Sequence, residues 1–166
     1  MKETSNSRIL TTREDYLVAN EDVLSIYYDK KIKCWGNCLW NLDTSGYDVM
    51  ETLGGIDAVT YDKASDTVYI WGWAAFKEKN ADDSICYIYI DTGLHRYYFR
   101  TGKSERNDIA QTLNNQKYLN CGFSAVIGNI HEWIGDGSEI VIGLSIIDDK
   151  GGYANEEVSE QRISID

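Results

Sequence analysis

Apolar and polar residues alternate with a period of two along most of this chain. "VLSIYY" (23–28), "IDAVTY" (56–61), "TVYIWGWA" (67–74), "SICYIYID" (84–91), "HRYYFR" (95–100), "GFSAVIG" (122–128), "EIVIGLSII" (139–147) and "QRISI" (161–165) all read as strands. The breaks between them, "DKASD", "KNADD", "DTG", "GDGS" and "DDKGG", carry turn chemistry. Asp91-Thr92-Gly93 separates two runs so closely that a hairpin is expected. Only residues 105–114, "ERNDIAQTLN", have helical character, with Glu105 and Asp108 placed to suit a helix N-terminus. The pattern predicts an all-β fold: an antiparallel two-sheet β-sandwich, immunoglobulin-like or jelly-roll-like, with one short helical turn near 105–113.

The first 55 residues break the rhythm. One clear strand is followed by a loop bearing Cys34, Trp35, Cys38 and Trp40, and nothing resembling a linker follows beyond "GG" at 54–55. The expected organisation is an N-terminal strand-and-loop extension over 1–55, packed on a β-sandwich core over 56–166.

Composition narrows the partners. The formal net charge is −11, from 27 acidic and 16 basic residues. That disfavours nucleic acid, whose phosphates need a basic surface, and adsorption to anionic membranes. Neutral ligands and cations stay open. No apolar run reaches the length of a membrane helix, and "MKETSNSRIL" lacks the apolar stretch of a secretory signal. No membrane insertion is therefore expected. Four cysteines are present, Cys34, Cys38, Cys86 and Cys121; the even count permits two disulfides, but the spacing is not that of a disulfide-dense module, and all four read as buried free thiols acting as small apolar residues. A zinc site built on Cys34 and Cys38 would need His95 or His131 and one further ligand, so no metal is expected.

The aromatic residues are the main candidate chemistry. Tyr69, Trp71 and Trp73 alternate with Val68, Ile70 and Ala74; Tyr87 and Tyr89 alternate with Cys86, Ile88 and Ile90; Tyr97 shares a side with Phe99 and His95. If these strands are neighbours, Tyr69, Trp71, Tyr87, Tyr89 and Tyr97 form one face. Such a face, with Asp, Asn and Gln nearby, is a stacking platform for a neutral sugar ring. Trp35 and Trp40 are second choices. The competing reading covers the same face with residues 1–50 or with a second subunit, because Tyr and Trp also favour semi-polar interfaces.

Other motifs fail on inspection. Gly102-Lys103-Ser104 ends a phosphate-binding loop in letters only, since Tyr97 stands where the first glycine is required. No nucleophile elbow, paired metal histidines or calcium-loop spacing occurs, and the acidic turns "ADD", "GDG" and "DDKGG" read as solvated. Cys34 or Cys121 with a histidine lacks any supporting spacing. No catalysis and no cofactor are expected.

The segments "VYIWGWAAF", "YIYI", "SERNDIAQ", "NCGFSAVI" and "GSEIVIGLSIIDDKGGY" together resemble a β-sandwich module attached to bacterial glycosyltransferases and other cell-surface polysaccharide machinery. The loose pattern is Gly72-Trp73-Ala74, Arg106-Asn107-Asp108-Ile109 and Asn120-Cys121-Gly122-Phe123, followed by a closing hairpin. It covers residues 56–166. The carbohydrate-binding ends of polysaccharide-exporting ABC transporters are similar in architecture. The resemblance implies a non-catalytic, glycan-related role beside a catalytic or ATPase partner, or as a homodimer. It also implies a cytoplasmic place within a larger membrane-associated assembly. It makes Arg106, Asp108, Asn120 and Gly122 structural: Arg106 and Asp108 in a crossover between sheets, Asp108 as a cap of the helical turn, and Asn120 pinning the turn before Gly122.

Overall fold

A computed structural model describes residues 25–29, 34–39, 42–93, 96–134 and 137–166, with backbone alone for 25–29, 34–39, 132 and 133. Trp40 and His95, and the side chains of Cys34, Trp35 and Cys38, lie outside the described residues.

Eleven strands are described: β1 (Ser25–Asp29), β2 (Cys34–Leu39), β3 (Asp48–Val49), β4 (Thr52–Asp62), β5 (Thr67–Phe76), β6 (Ile85–Asp91), β7 (Arg96–Arg100), β8 (Gly102–Ser104), β9 (Gly122–Ile127), β10 (Glu139–Asp148) and β11 (Tyr153–Ser164). They form two sheets. One has seven strands in the order β1-β2-β7-β6-β10-β11-β3; the other has four, β4-β5-β9-β8. Every pairing is antiparallel except the two-residue contact of β3 with β11. The fold is all-β with two sheets, as the alternation predicts.

Period-two patterning explains the burial. Val68 and Ile70 of β5 and Phe123 and Ile127 of β9 meet Ile88 and Ile90 of β6 and Ile140, Ile142 and Leu144 of β10 in one apolar cluster. The expected aliphatic core is thus the shared interior. The intervening residues of β6, Tyr87 and Tyr89, lie on the other face of their sheet, under Leu42, Tyr98 and Ile147.

The free edge of β4 is guarded. At its bulge, between Ile56 and Ala58, the Ile56 amide donates to Ser159 Oγ (3.4 Å) and the Ile56 carbonyl accepts from Gln161 Nε2 (3.4 Å). Polar side chains of β11 thereby occupy backbone groups that would otherwise invite a foreign strand.

Several local readings change. Gly102-Lys103-Ser104 is a short edge strand, and Lys103 Nζ donates to the carbonyls of Ala81 (2.6 Å) and Ser84 (2.8 Å). β11 runs twelve residues instead of five, because "NEEVSEQ" carries too many charges to read as a strand and its outer side faces solvent. The helical segment is shorter than read, α1 (Asn107–Thr112). A second helix, α2 (Ile130–Ile134), was not expected at all. Five residues are too few to show a helical period. Asp66 holds its start through bonds from the Ile130 and His131 amides. The boundary read at residue 55 falls inside β4. No helix among the described residues is long and apolar enough to cross a membrane.

Candidate functional site

The five aromatic residues read as one platform are not brought together, because their strands are not neighbours. β5 lies between β4 and β9, whereas β6 and β7 belong to the seven-stranded sheet. Tyr97 is buried in the inter-sheet core with Phe99. Tyr87 and Tyr89 are buried on the opposite face of the seven-stranded sheet. Tyr89 is fully covered; its hydroxyl donates to Glu160, and the Arg96 guanidinium sits 4.3 Å from its ring centre. Burial, then the bond to Glu160, pushes its phenol well above the ordinary range. Sequence periodicity gives each strand two faces, but strand order decides which faces coincide.

Tyr69 and Trp71 are different. They are 39% and 43% exposed, two positions apart on β5, on the outer face of the four-stranded sheet. The register sets Tyr69 between Thr60 and Val126, and Trp71 between Ala58 and Ser124. Val126 is itself 58% exposed. Two positions along a strand place the aromatic pair about 7 Å apart. Further along the same face the surface closes. Trp73 and Ala75 pack against Ile109, Ala110's neighbour on α1, and against Tyr118 and Cys121. α1 therefore covers one end of the sheet and leaves the Tyr69–Trp71 end open.

A charged cluster marks the border. The Arg106 guanidinium donates to both carboxylate oxygens of Asp108, Nε to Oδ1 at 2.9 Å and Nη2 to Oδ2 at 2.8 Å. Its Nη1 donates to Oδ2 of Asp57 at 3.0 Å. A bidentate fork of this kind is the strong form of the pair. The segment 105–121 joins β8 to β9 within one sheet, so this fork lies on the outer surface and not in a crossover between sheets. Arg106 occupies the N-cap position of α1 with no side-chain capping bond, while the Asp108 carboxylate accepts from first-turn amides, those of Ile109 and of Asp108 itself. Gly122 and Asn120 lie beside the fork. A Cβ on Gly122 would stand 2.4 Å from Ser104 Oγ and 2.9 Å from Arg106 Cγ. Asn120 Nδ2 donates to Asp82 Oδ1 at 2.6 Å.

The fork has a pH signature. The bonds from Arg106, the largest cause, hold the Asp108 carboxyl at about 2, below its ordinary 3.8. A carboxylate depressed in the folded state stabilises fully above the unfolded value, and that contribution fades as pH falls through about 2. A carbon-NMR titration is expected to find Asp108 still ionised at pH 3, and to find its midpoint moved toward 3.8 in Arg106→Lys. Titration at the ordinary value in the wild type would mean that the fork is open in solution.

Two other clusters have structural explanations. Asp66 accepts from the Tyr61 hydroxyl (2.7 Å) and the His131 amide (3.0 Å), and its Oδ1 lies 2.6 Å from His131 Nδ1. Burial raises its pKa, but these bonds outweigh it and the net direction is down. This carboxylate anchors α2. Cys121 is remote from it: Ala74 bonds the Cys121 carbonyl while Asp66 bonds the Ile130 amide, which sets them about 25 Å apart along β5. Cys86 and Cys121 line a cavity of about 330 Å³ together with Ser84, Lys103 and Asn120. Burial raises them to about 12 and about 11. A thiol must ionise to act as a nucleophile. Peptide mapping after iodoacetamide treatment at pH 8 is expected to find both unmodified in the native protein and modified after denaturation. Native labelling at Cys121 would contradict the burial described.

Among the described residues no group of three or more His, Cys, Asp or Glu is arranged to hold a metal ion. Sequence reading missed Asp57, Ser124 and Val126 as neighbours of the aromatic pair. They are adjacent only through register, and the bulge at Asp57 leaves no signal in "GGIDAVT". Comparisons of the chain with protein-family models, with curated proteins and with solved structures find no match.

Proposed function

We propose that this protein is a non-catalytic glycan-binding module that takes a neutral oligosaccharide or polysaccharide on the outer face of its four-stranded sheet. On this reading the two sheets are an immunoglobulin-like or jelly-roll-like sandwich, and the module is an accessory of bacterial surface-polysaccharide synthesis or export. The observation that carries the binding reading is the exposure of Tyr69 and Trp71 side by side on a regular strand. Elsewhere in the described core the large aromatic rings are covered. Leaving two rings open costs hydrophobic stabilisation, about 25 cal/mol per Å² of apolar surface, so the pair invites a functional explanation. A sugar ring offers an apolar C–H face to such rings and hydroxyls to the polar groups around them. The net charge of −11 does not oppose a neutral glycan.

Titration with purified neutral surface polysaccharide tests this. Saturable quenching of tryptophan fluorescence is the expected result, and an unchanged spectrum across neutral polysaccharides argues against it. Val126, exposed beside Tyr69, favours a second reading, in which this face packs on another subunit or a catalytic domain. Light scattering separates the two. A monomer fits glycan binding, and a dimer that shields Trp71 from a soluble quencher fits assembly.

A further inference from the structure

The structure assigns a specificity role to the Asp57–Arg106–Asp108 cluster: we infer that it reads a vicinal pair of hydroxyls on the neutral sugar stacked at Trp71 and rejects anionic sugars. This rests on the glycan reading of the aromatic pair. The placement comes from register. Asp57 is the bulge residue of β4, next to Ala58, the cross-strand partner of Trp71. Arg106 Cγ lies against Gly122, the β9 partner of Trp73. To reach Asp57 from there, the guanidinium crosses β5 on its outer face, between the rows of Trp73 and Trp71.

The cluster is accessible and has unspent bonding capacity. The side chains of Arg106, Asp57 and Asp108 are 25%, 42% and 63% exposed. A guanidinium carries two N–H groups on each terminal nitrogen. Among the described residues, one on Nη1 and one on Nη2 have no acceptor and Oδ1 of Asp57 has no donor. Donor and acceptor thus stand side by side in a rigid fork. One sugar hydroxyl can accept from Arg106 while its neighbour donates to Asp57. Two carboxylates around one guanidinium leave the cluster with a net negative charge. A carboxylate on the sugar would meet that charge in place of a donor, so a uronic acid is disfavoured.

Calorimetric titration with maltotriose, cellotriose, mannotriose and trigalacturonate tests the assignment, with melting temperature monitored for every variant. The wild type is expected to bind at least one neutral trisaccharide and to bind trigalacturonate at least tenfold more weakly. Asp57→Asn leaves the Arg106–Asp108 fork in place. It is expected to weaken the neutral ligand by about tenfold and to narrow its advantage over trigalacturonate. Arg106→Lys, which keeps the charge and loses the fork, is expected to weaken it at least as much; should it fail to fold, Asp57→Asn decides alone. If Trp71→Ala loses binding while Asp57→Asn keeps both affinity and selectivity, the cluster has no part in recognition and the aromatic reading survives. Trigalacturonate binding as tightly as the neutral sugars overturns the inference too. If no neutral trisaccharide binds, or if Trp71→Ala binds like the wild type, the aromatic reading falls and takes the inference with it.

Discussion

Gly72→Ala is expected to destabilise the protein by about 3 kcal/mol, the upper range for overpacking a well-packed interior. A Cβ at Gly72 would stand 2.3 Å from the Gly55 carbonyl oxygen, 2.8 Å from the Asp57 amide nitrogen and 2.9 Å from the Phe123 ring. The first two atoms are backbone. They belong to β4 at its bulge, held on one side by the ladder to β5 and on the other by Ser159 and Gln161. They cannot move aside as a side chain would. β4 must slide from β5, and Asp57 and its bond to Arg106 move with it. Gly102→Ala is the control, because its Cβ would meet nothing closer than Ser124 Oγ at 3.7 Å. Its denaturation midpoint should match the wild type within about 0.5 kcal/mol. Urea denaturation of the three proteins checks both. A Gly72→Ala midpoint equal to that of Gly102→Ala would contradict the packing described at the bulge.

Trp71→Ala has the largest expected effect on binding. A ring at the centre of a small contact is worth about 2 kcal/mol when truncated, or roughly thirtyfold in affinity. Tyr69→Ala is expected to cost less, since its ring is smaller. The double variant should abolish measurable binding, without strict additivity at neighbouring positions. Stability is expected to fall by only about 1 kcal/mol for Trp71→Ala, because the ring is 43% exposed and loses a limited apolar contact. Tyr89→Phe provides the opposite control. It removes a bond to Glu160 on the other sheet and should lower stability while leaving glycan affinity unchanged. Equal affinities of Trp71→Ala and the wild type would remove the aromatic pair from the site.

Much of the architecture was legible in the sequence because alternation is a local property. Ile88 and Ile90 against Tyr87 and Tyr89, or Val68 and Ile70 against Tyr69 and Trp71, announce two-faced strands wherever those strands end up. The aliphatic set marked the interior correctly. What alternation omits is adjacency. β5 and β6 follow one another in the chain yet lie in different sheets, so a platform drawn across both could not exist. The same omission hid the real neighbours of Trp71, which come from β4 and β9. Short and charged elements escaped for another reason. β8, α2 and the first half of β11 are fixed by partners distant in sequence, such as Lys103 on Ala81 and Asp66 on His131. Gly122 was readable as a site of close approach, whereas Arg106 and Asp108 were placed in the wrong layer.

On the proposed reading, the open end of the four-stranded sheet receives the sugar. An NMR titration of nitrogen-labelled protein with maltotriose, cellotriose and mannotriose in turn tests it most directly. Saturable, concerted shifts of the Trp71 indole N–H and of the amides of Ala58, Thr60, Ser124 and Val126 are expected with at least one of them. Shifts confined to the seven-stranded sheet, or none that saturate with any of the three, would contradict it.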